Sequence, residues 1–166
     1  MTGWRIAMAM GNAEFLAQAL LVQMSRSGTP VLYDALPTVS DMRTGAYAPG
    51  GIETGLLCMG CAQMARFYGV PSASLVGLTN AKVNDAQAGY ESSNSLNVAL
   101  LSGVNFMLHA CGWLAGGLVS SFEKFVMDAD QLGILHHFAR GVDLDTNAQA
   151  LDAISGSAPC RSLMVV

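Results

Sequence analysis

The chain is 166 residues long, 52% hydrophobic and only 12% charged, with 8 Lys+Arg against 12 Asp+Glu and a formal net charge of −4. So apolar a composition excludes intrinsic disorder, and an acidic balance without a basic cluster excludes a nucleic-acid-binding surface. The length suits one domain with an ordinary core, while a charged fraction about half the usual ~25% implies that much of the surface is covered by other protein.

In chain order, Arg5–Met10 reads as a short apolar strand. Asn12 reads as the N-cap of a helix over Ala13–Arg26, where Phe15, Leu16, Ala19, Leu20, Val22 and Met24 form one broad apolar face. Ser27-Gly28-Thr29-Pro30 stops that helix. Val31–Tyr33 reads as a buried strand and residues 34–51 as a long polar, glycine-containing connection. A second helix is expected from Gly51 or Ile52 to Tyr68, closed by Gly69, then a strand over Ser74–Leu78. Asp85 caps a third helix reaching about Ser102. Asn105–Ala110 is the next strand, Ser120 or Ser121 opens a helix to Arg140, and a last short helix is expected over Thr146–Ile154.

Apolar strands alternating with helices call for an α/β fold with a parallel sheet. No strand is followed by a glycine-rich phosphate-binding motif, so the nucleotide-binding signature is absent. The alternative parallel architecture is the TIM (β/α)8 barrel, typically of about 250 residues. About four βα units make this chain a partial, half barrel. Half a barrel leaves two raw sheet edges, which fits the low charge and predicts a homo-oligomer. Residues 92–122 carry no charge, but Asn94, Asn97, Asn105 and His109, with Gly103, Gly112, Gly116 and Gly117, interrupt them, so no membrane span is expected. The 4 cysteines make no disulfide framework, and Met1–Arg5 lacks the basic start and apolar run of a secretory signal, so a cytoplasmic setting is expected.

In a parallel α/β sheet, chemistry gathers on the loops at the C-terminal strand ends. By that rule the candidates are Tyr33, Asp34, Asp41 and Arg43 after one strand, and Thr79, Asn80, Lys82 and Asp85 after the next. Gln87, Tyr90 and Glu91 follow on the helix just begun; then come His109, Cys111 and Trp113, with Glu123 opening the last long helix. Each also has a plain structural role. Asp85 is an N-cap; Gln87, Tyr90 and Glu91 form a polar helix face; Lys82 is solvated; His109 is a hydrogen-bonded core histidine. His136 and His137 serve the carbonyls at a helix C-terminus. Cys58-Met59-Gly60-Cys61 has no second ligand pair and falls mid-helix, so it reads as two buried small hydrophobes sharing one face rather than as a metal or redox site.

The loops themselves are informative. Asp41-Met42-Arg43-Thr44-Gly45, the long run from Gly77 through Lys82-Val83-Asn84-Asp85 to Tyr90-Glu91, His109-Ala110-Cys111-Gly112-Trp113, and Ser121-Phe122-Glu123-Lys124-Phe125 resemble the trimethylamine methyltransferase family. The resemblance covers about Asn12 to Ile154. It implies a (β/α)8 barrel that moves a methyl group from a quaternary or tertiary methylamine to the Co(I) of a separate corrinoid protein, so the chain itself is expected to hold no metal and no tightly bound cofactor. Full-length members are much longer, and this chain resembles a portion from the later half of the barrel, in truncated form. Val76-Gly77-Leu78-Thr79 lacks the pyrrolysine that the trimethylamine enzymes carry near that strand end, which implies the non-pyrrolysine branch and a betaine as methyl donor.

A cationic N-methyl substrate wants aromatic faces and a nearby carboxylate. On the resemblance, Lys82, Asp85, His109 and Glu123 are the catalytic candidates, and Tyr33, Arg43, Thr79, Gln87, Tyr90, Glu91 and Trp113 the substrate-binding ones. Tyr33, Tyr90 and Trp113 would offer faces; Asp85, Glu91 or Glu123 negative charge; Lys82, Arg43 or His109 a partner for a betaine carboxylate. Two features depart from the family: Asn84 stands where Pro is common, and residues 155–166 do not resemble its continuation. The expected division is therefore a partial barrel over 1–154 and an atypical tail over 155–166. The competing reading is a catalytically inactive half barrel acting as a self-associating structural module.

Overall fold

The computed structural model describes residues 2–143 and 150–156. Helix α1 runs Thr2–Ser25, α2 Ile52–Tyr68, strand β1 Ala73–Leu75, α3 Ala86–Leu101, and β2 Phe106–Leu108. A small hairpin of β3, Trp113–Leu114, and β4, Val119–Ser120, precedes α4, Phe122–Arg140, and a short α5, Leu151–Gly156.

The sheet is short and parallel. Tyr33 bridges Ser72, its N–H donating to the Pro71 carbonyl at 2.8 Å and its carbonyl accepting from Ala73 N–H at 2.9 Å. On the far side of β1, Ala73 pairs with Phe106 and Leu75 with Leu108. The strands lie side by side in chain order, and α1 packs on α2, α2 on α3, and α3 on α4. Side chains alternate across the sheet. Tyr33, Val76 and Met107 pack among helix residues such as Phe15, Cys61, Leu96 and Leu135. The alternate positions Leu32 and Phe106 look the other way and are 41% and 55% exposed, while Ala73 between them on the central strand is buried. One face of the sheet is thus covered by helices and the other is exposed at its flanking strands.

Local chemistry explains most boundaries. Gly69 closes α2 in the left-handed conformation (φ 67°), and Asp85 caps α3 by accepting from Ala88 N–H at 3.0 Å. Ser121 caps α4, accepting from Lys124 N–H at 3.3 Å. Leu96, fully buried in the core under β1, contributes roughly 1.5–3 kcal/mol by leaving water.

Three expectations need correction. Arg5–Met10 is not a strand: α1 is helical from Thr2, because Ala7, Met8, Ala9, Met10 and Ala13 are strong helix formers and Ile6 is the one β-branched residue among 5–13. Asn12 therefore lies inside a helix, and its side-chain amide donates to the Tyr68 hydroxyl at 3.0 Å. The expected strand Val31–Tyr33 is reduced to the single bridge at Tyr33. The parallel pairing accordingly joins Tyr33, β1 and β2, without a contribution from the N-terminal segment. Residues 144–149, where the last helix was expected to begin, and 157–166, most of the expected tail, lie outside the described residues. Among the described residues no helix is long and apolar enough to cross a membrane.

Candidate functional site

The C-terminal strand ends are where the buried polar groups collect. After β1 the chain turns at Gly77, whose φ of 73° and tight approach to the Ala110 backbone exclude a side chain. The Gly77 N–H donates to Ser95 Oγ at 2.9 Å, and its carbonyl accepts from Ser92 Oγ at 3.0 Å. The loop that follows folds around Glu91. Its Oε2 accepts from Thr79 Oγ1 at 2.6 Å and from Asn80 N–H at 2.7 Å, and its Oε1 from Gln87 Nε2 at 2.8 Å. Glu91 is 7% exposed, and Gly50 presses so closely on its carboxylate that any side chain there would collide with it. A buried carboxylate is tolerated only with such a full set of donors.

Above this loop lies a cleft of about 630 Å³, lined among others by Asp41, Tyr47, Asn80, Lys82, Gly116 and Leu118. Its far wall is the turn between β3 and β4, latched down by Ala115 N–H to the Ala81 carbonyl at 2.8 Å and Gly116 N–H to the Thr79 carbonyl at 2.7 Å. Asp41 shapes the near wall, accepting from Arg43 N–H at 2.7 Å and Thr44 N–H at 3.2 Å. Burial pushes the Tyr47 hydroxyl above the ordinary tyrosine range, so it stays a neutral donor at the edge of this space.

A second group sits at the end of β2. His109 has a φ of 59°, unusual outside glycine, and its ring meets Trp113 edge-on at 5.4 Å. Burial raises the Asp34 carboxyl above the ordinary aspartate range, with the nearby His109 a lesser, opposing influence. Beside Trp113 is an apolar hollow of about 430 Å³ lined by Cys111, Gly112, Trp113, Ser121, Phe122 and Phe125, among others.

The sequence candidates divide accordingly. Thr79, Gln87 and Glu91 form one hydrogen-bonded unit; Lys82 lines the cleft beside it; His109 and Trp113 form the second group. Asp85 is engaged as the N-cap of α3. Glu123 lies at the surface, its carboxyl lowered by the hydrogen bond that Ser121 Oγ donates at 2.7 Å. Arg43 and Tyr90 are exposed. Tyr33 is not at the strand-end loops: it is fully buried between Phe15 and Tyr68, its hydroxyl 3.3 Å from Asn12 Oδ1 and its pKa pushed up to about 12 by burial. Tyr47, Gly116 and Leu118 went unrecognised, because the β3–β4 turn that brings them together has no strong sequence signal. Lys124 and Asp128 were also missed, although their i, i+4 spacing on a helix was a visible sign of a pair. Cys58 and Cys61 are buried in α2, and burial pushes the Cys61 thiol up to about 12, as suits two core side chains.

An α/β chain with a parallel sheet and a cleft at its C-terminal strand ends is the framework on which many enzymes are built. The particular family follows from comparison: residues 4–164 match the model of the trimethylamine methyltransferase (MTTB) family. The chain belongs to that family. It is 45% identical over 152 residues to a glycine betaine methyltransferase of Desulfitobacterium hafniense, covering 92% of this chain and 32% of that protein. It is 35% identical over 150 residues to a proline betaine:corrinoid methyltransferase of Eubacterium limosum, 89% of this chain and 31% of that one. A trimethylamine methyltransferase of Methanosarcina barkeri is 32% identical over 143 residues, 86% of this chain and 29% of its own length. The chain thus spans about a third of the length of these relatives.

Proposed function

We propose that this chain forms part of the (β/α)8 barrel of a cytoplasmic, corrinoid-dependent methyltransferase that moves a methyl group from a betaine to the Co(I) of a separate corrinoid protein. The observation that carries the reading is the 45% identity, across 92% of the chain, to a relative named for glycine betaine. The geometry supports it: the run Gly77–Glu91, on which the family resemblance rests, builds the floor of the cleft at the strand ends.

The reaction is a displacement in which the methyl carbon bonds to cobalt while the nitrogen leaves with the C–N electron pair as a neutral amine. No proton need move, so catalysis consists of positioning and exclusion of water. Lys82 on the cleft wall supplies a cation for the donor's carboxylate. Tyr47 at the cleft edge supplies an aromatic face for the quaternary nitrogen, with Trp113 at the foot of the hairpin that forms the far wall, and the Glu91 carboxylate, fixed by three donors, supplies negative potential beneath the cleft. Tyr47 takes the place in this scheme that Tyr33, being buried, does not fill.

The test is to incubate the purified chain with glycine betaine and cob(I)alamin, following loss of the Co(I) absorbance and formation of dimethylglycine. Methyl transfer above the protein-free rate is expected, and a Lys82→Ala chain should lose it. No transfer, where a full-length relative in the same assay is active, contradicts an active form of this chain.

One observation favours a second reading, a self-associating module. The sheet face turned away from the helices carries Leu32 and Phe106, both exposed. Light scattering distinguishes this reading: a closed homo-oligomer supports it and a stable monomer contradicts it.

A further inference from the structure

Lys124 and Asp128 are 1% and 4% exposed and take no part in either wall of the cleft. Lys124 Nζ donates to Asp128 Oδ2 at 2.6 Å and to Ser92 Oγ at 2.7 Å. The same Asp128 oxygen accepts from Gly112 N–H at 2.8 Å, and Ser92 Oγ passes its own hydrogen to the Gly77 carbonyl. One unbroken chain of hydrogen bonds therefore joins the backbone at Gly112, between His109 and Trp113, to the backbone at Gly77, two residues before Thr79. The two loops also touch directly, Gly77 lying against the Ala110 backbone. Gly112 reaches Asp128 only by lying flat on α4: its φ is 84°, and a Cβ there would come within 3.2 Å of Phe125 Cβ.

A buried ion pair is a poor way to stabilise a core, since well-packed apolar side chains of similar volume do as well or better. What apolar side chains cannot do is fix the direction of a backbone N–H and a backbone carbonyl at two separate loops. We propose that the Lys124–Asp128 pair is a positioning device that holds the His109–Trp113 loop in register with the Gly77–Thr79 loop, and so sets where Trp113 stands relative to the cleft floor. The inference rests on the geometry; its consequence for turnover rests on the methyl-transfer reading.

The experiment separates stability from positioning. In a Trp4→Phe background Trp113 is the remaining tryptophan of the 2 in the chain, and its emission and acrylamide quenching report the loop. The double variant Lys124→Met/Asp128→Leu removes both charges together. It is expected to unfold at a denaturant concentration close to the parent's, yet to show altered Trp113 emission and a Gly112 amide that exchanges roughly tenfold to a hundredfold faster, the loss appropriate to a hydrogen bond to a charged group. Amides of β1 and β2 should stay protected. Parent-like emission and Gly112 exchange in the folded double variant overturn the proposal. Asp128→Asn keeps an oxygen facing Gly112 and should retain the parent's Trp113 signal; a folded Asp128→Asn chain that loses it also overturns the proposal, and this arm decides if the double variant fails to fold. Where the parent is active, the double variant should change KM for glycine betaine more than kcat. An inactive parent counts against the methyl-transfer reading alone, because emission and exchange need no turnover.

Discussion

Among the described residues, the hydrogen bonds buried under α1 and those buried at the strand ends are built differently. Under α1, Asn12 joins the hydroxyls of Tyr33 and Tyr68, whose rings stack on each other at 6.2 Å while Phe15 packs tilted against Tyr33 at 4.4 Å. Every group there is neutral, and ring packing would hold the elements together without the hydrogen bonds. At the strand ends, Glu91 and the Lys124–Asp128 pair are charged and organise backbone groups of loops rather than helices and strands. Neutral clusters with large apolar contact secure a fold. Charged clusters tied to loop backbone secure a geometry, at greater risk if one partner is lost.

The contrast predicts a ranking of effects. Lys124→Met alone strands the Asp128 carboxylate and should cost about 3–5 kcal/mol, measured by urea unfolding; a cost below that of any tyrosine variant would remove the distinction between the clusters. Glu91→Ala leaves the Thr79 hydroxyl and the Asn80 N–H without their acceptor and should cost about 2–3 kcal/mol, with faster amide exchange confined to residues 77–82. Tyr68→Phe, which deletes one neutral hydrogen bond and keeps the ring, should cost only about 1 kcal/mol. Asp85→Ala should cost a similar ~1 kcal/mol by uncapping α3.

The neutral cluster has its own pH signature. Tyr33 titrates at about 12 in the folded chain against 10.0 for the free side chain, and neighbouring Cys61 at about 12 against 9.0. The folded state therefore keeps protons that the unfolded state has already released. Stability conferred by these two groups is complete below pH 9, and declines as the pH rises from about 9 to 12. Melting temperature against pH should fall over that window, and Cys61→Ala should flatten its lower part. A melting temperature unchanged to pH 12 would contradict the assignment.

Much of this organisation was legible in the sequence. The caps Asp85 and Ser121 and the stop at Gly69 marked helix ends within a residue or so, because capping is local chemistry. The parallel α/β class followed from apolar runs alternating with helical patterns. The segment Arg5–Met10 misled because a short apolar run without β-branched residues reads equally as strand or helix, and propensity decided it. The strand-end rule named Thr79, Lys82, Gln87, Glu91, His109 and Trp113, all of which lie at the C-terminal strand ends. It did not foresee that Tyr33, one residue before the loop begins, has its side chain on the helix-covered face, where period-two alternation sends it. Nor did the sequence disclose the β3–β4 turn, whose glycines at φ 70° and 92° read as a loop until the hydrogen bonds to Thr79 and Ala81 are seen.

The most direct measurement of the central assignment is a two-dimensional amide NMR titration of the chain with glycine betaine. Saturable shifts at Asn80, Lys82 and Gly116, with the Trp113 indole moving in step and α1 unaffected, are the expected result. Shifts scattered over α1 and α2, or none at millimolar glycine betaine from a chain that is folded in the same sample, would contradict the placement of the methyl donor in the strand-end cleft.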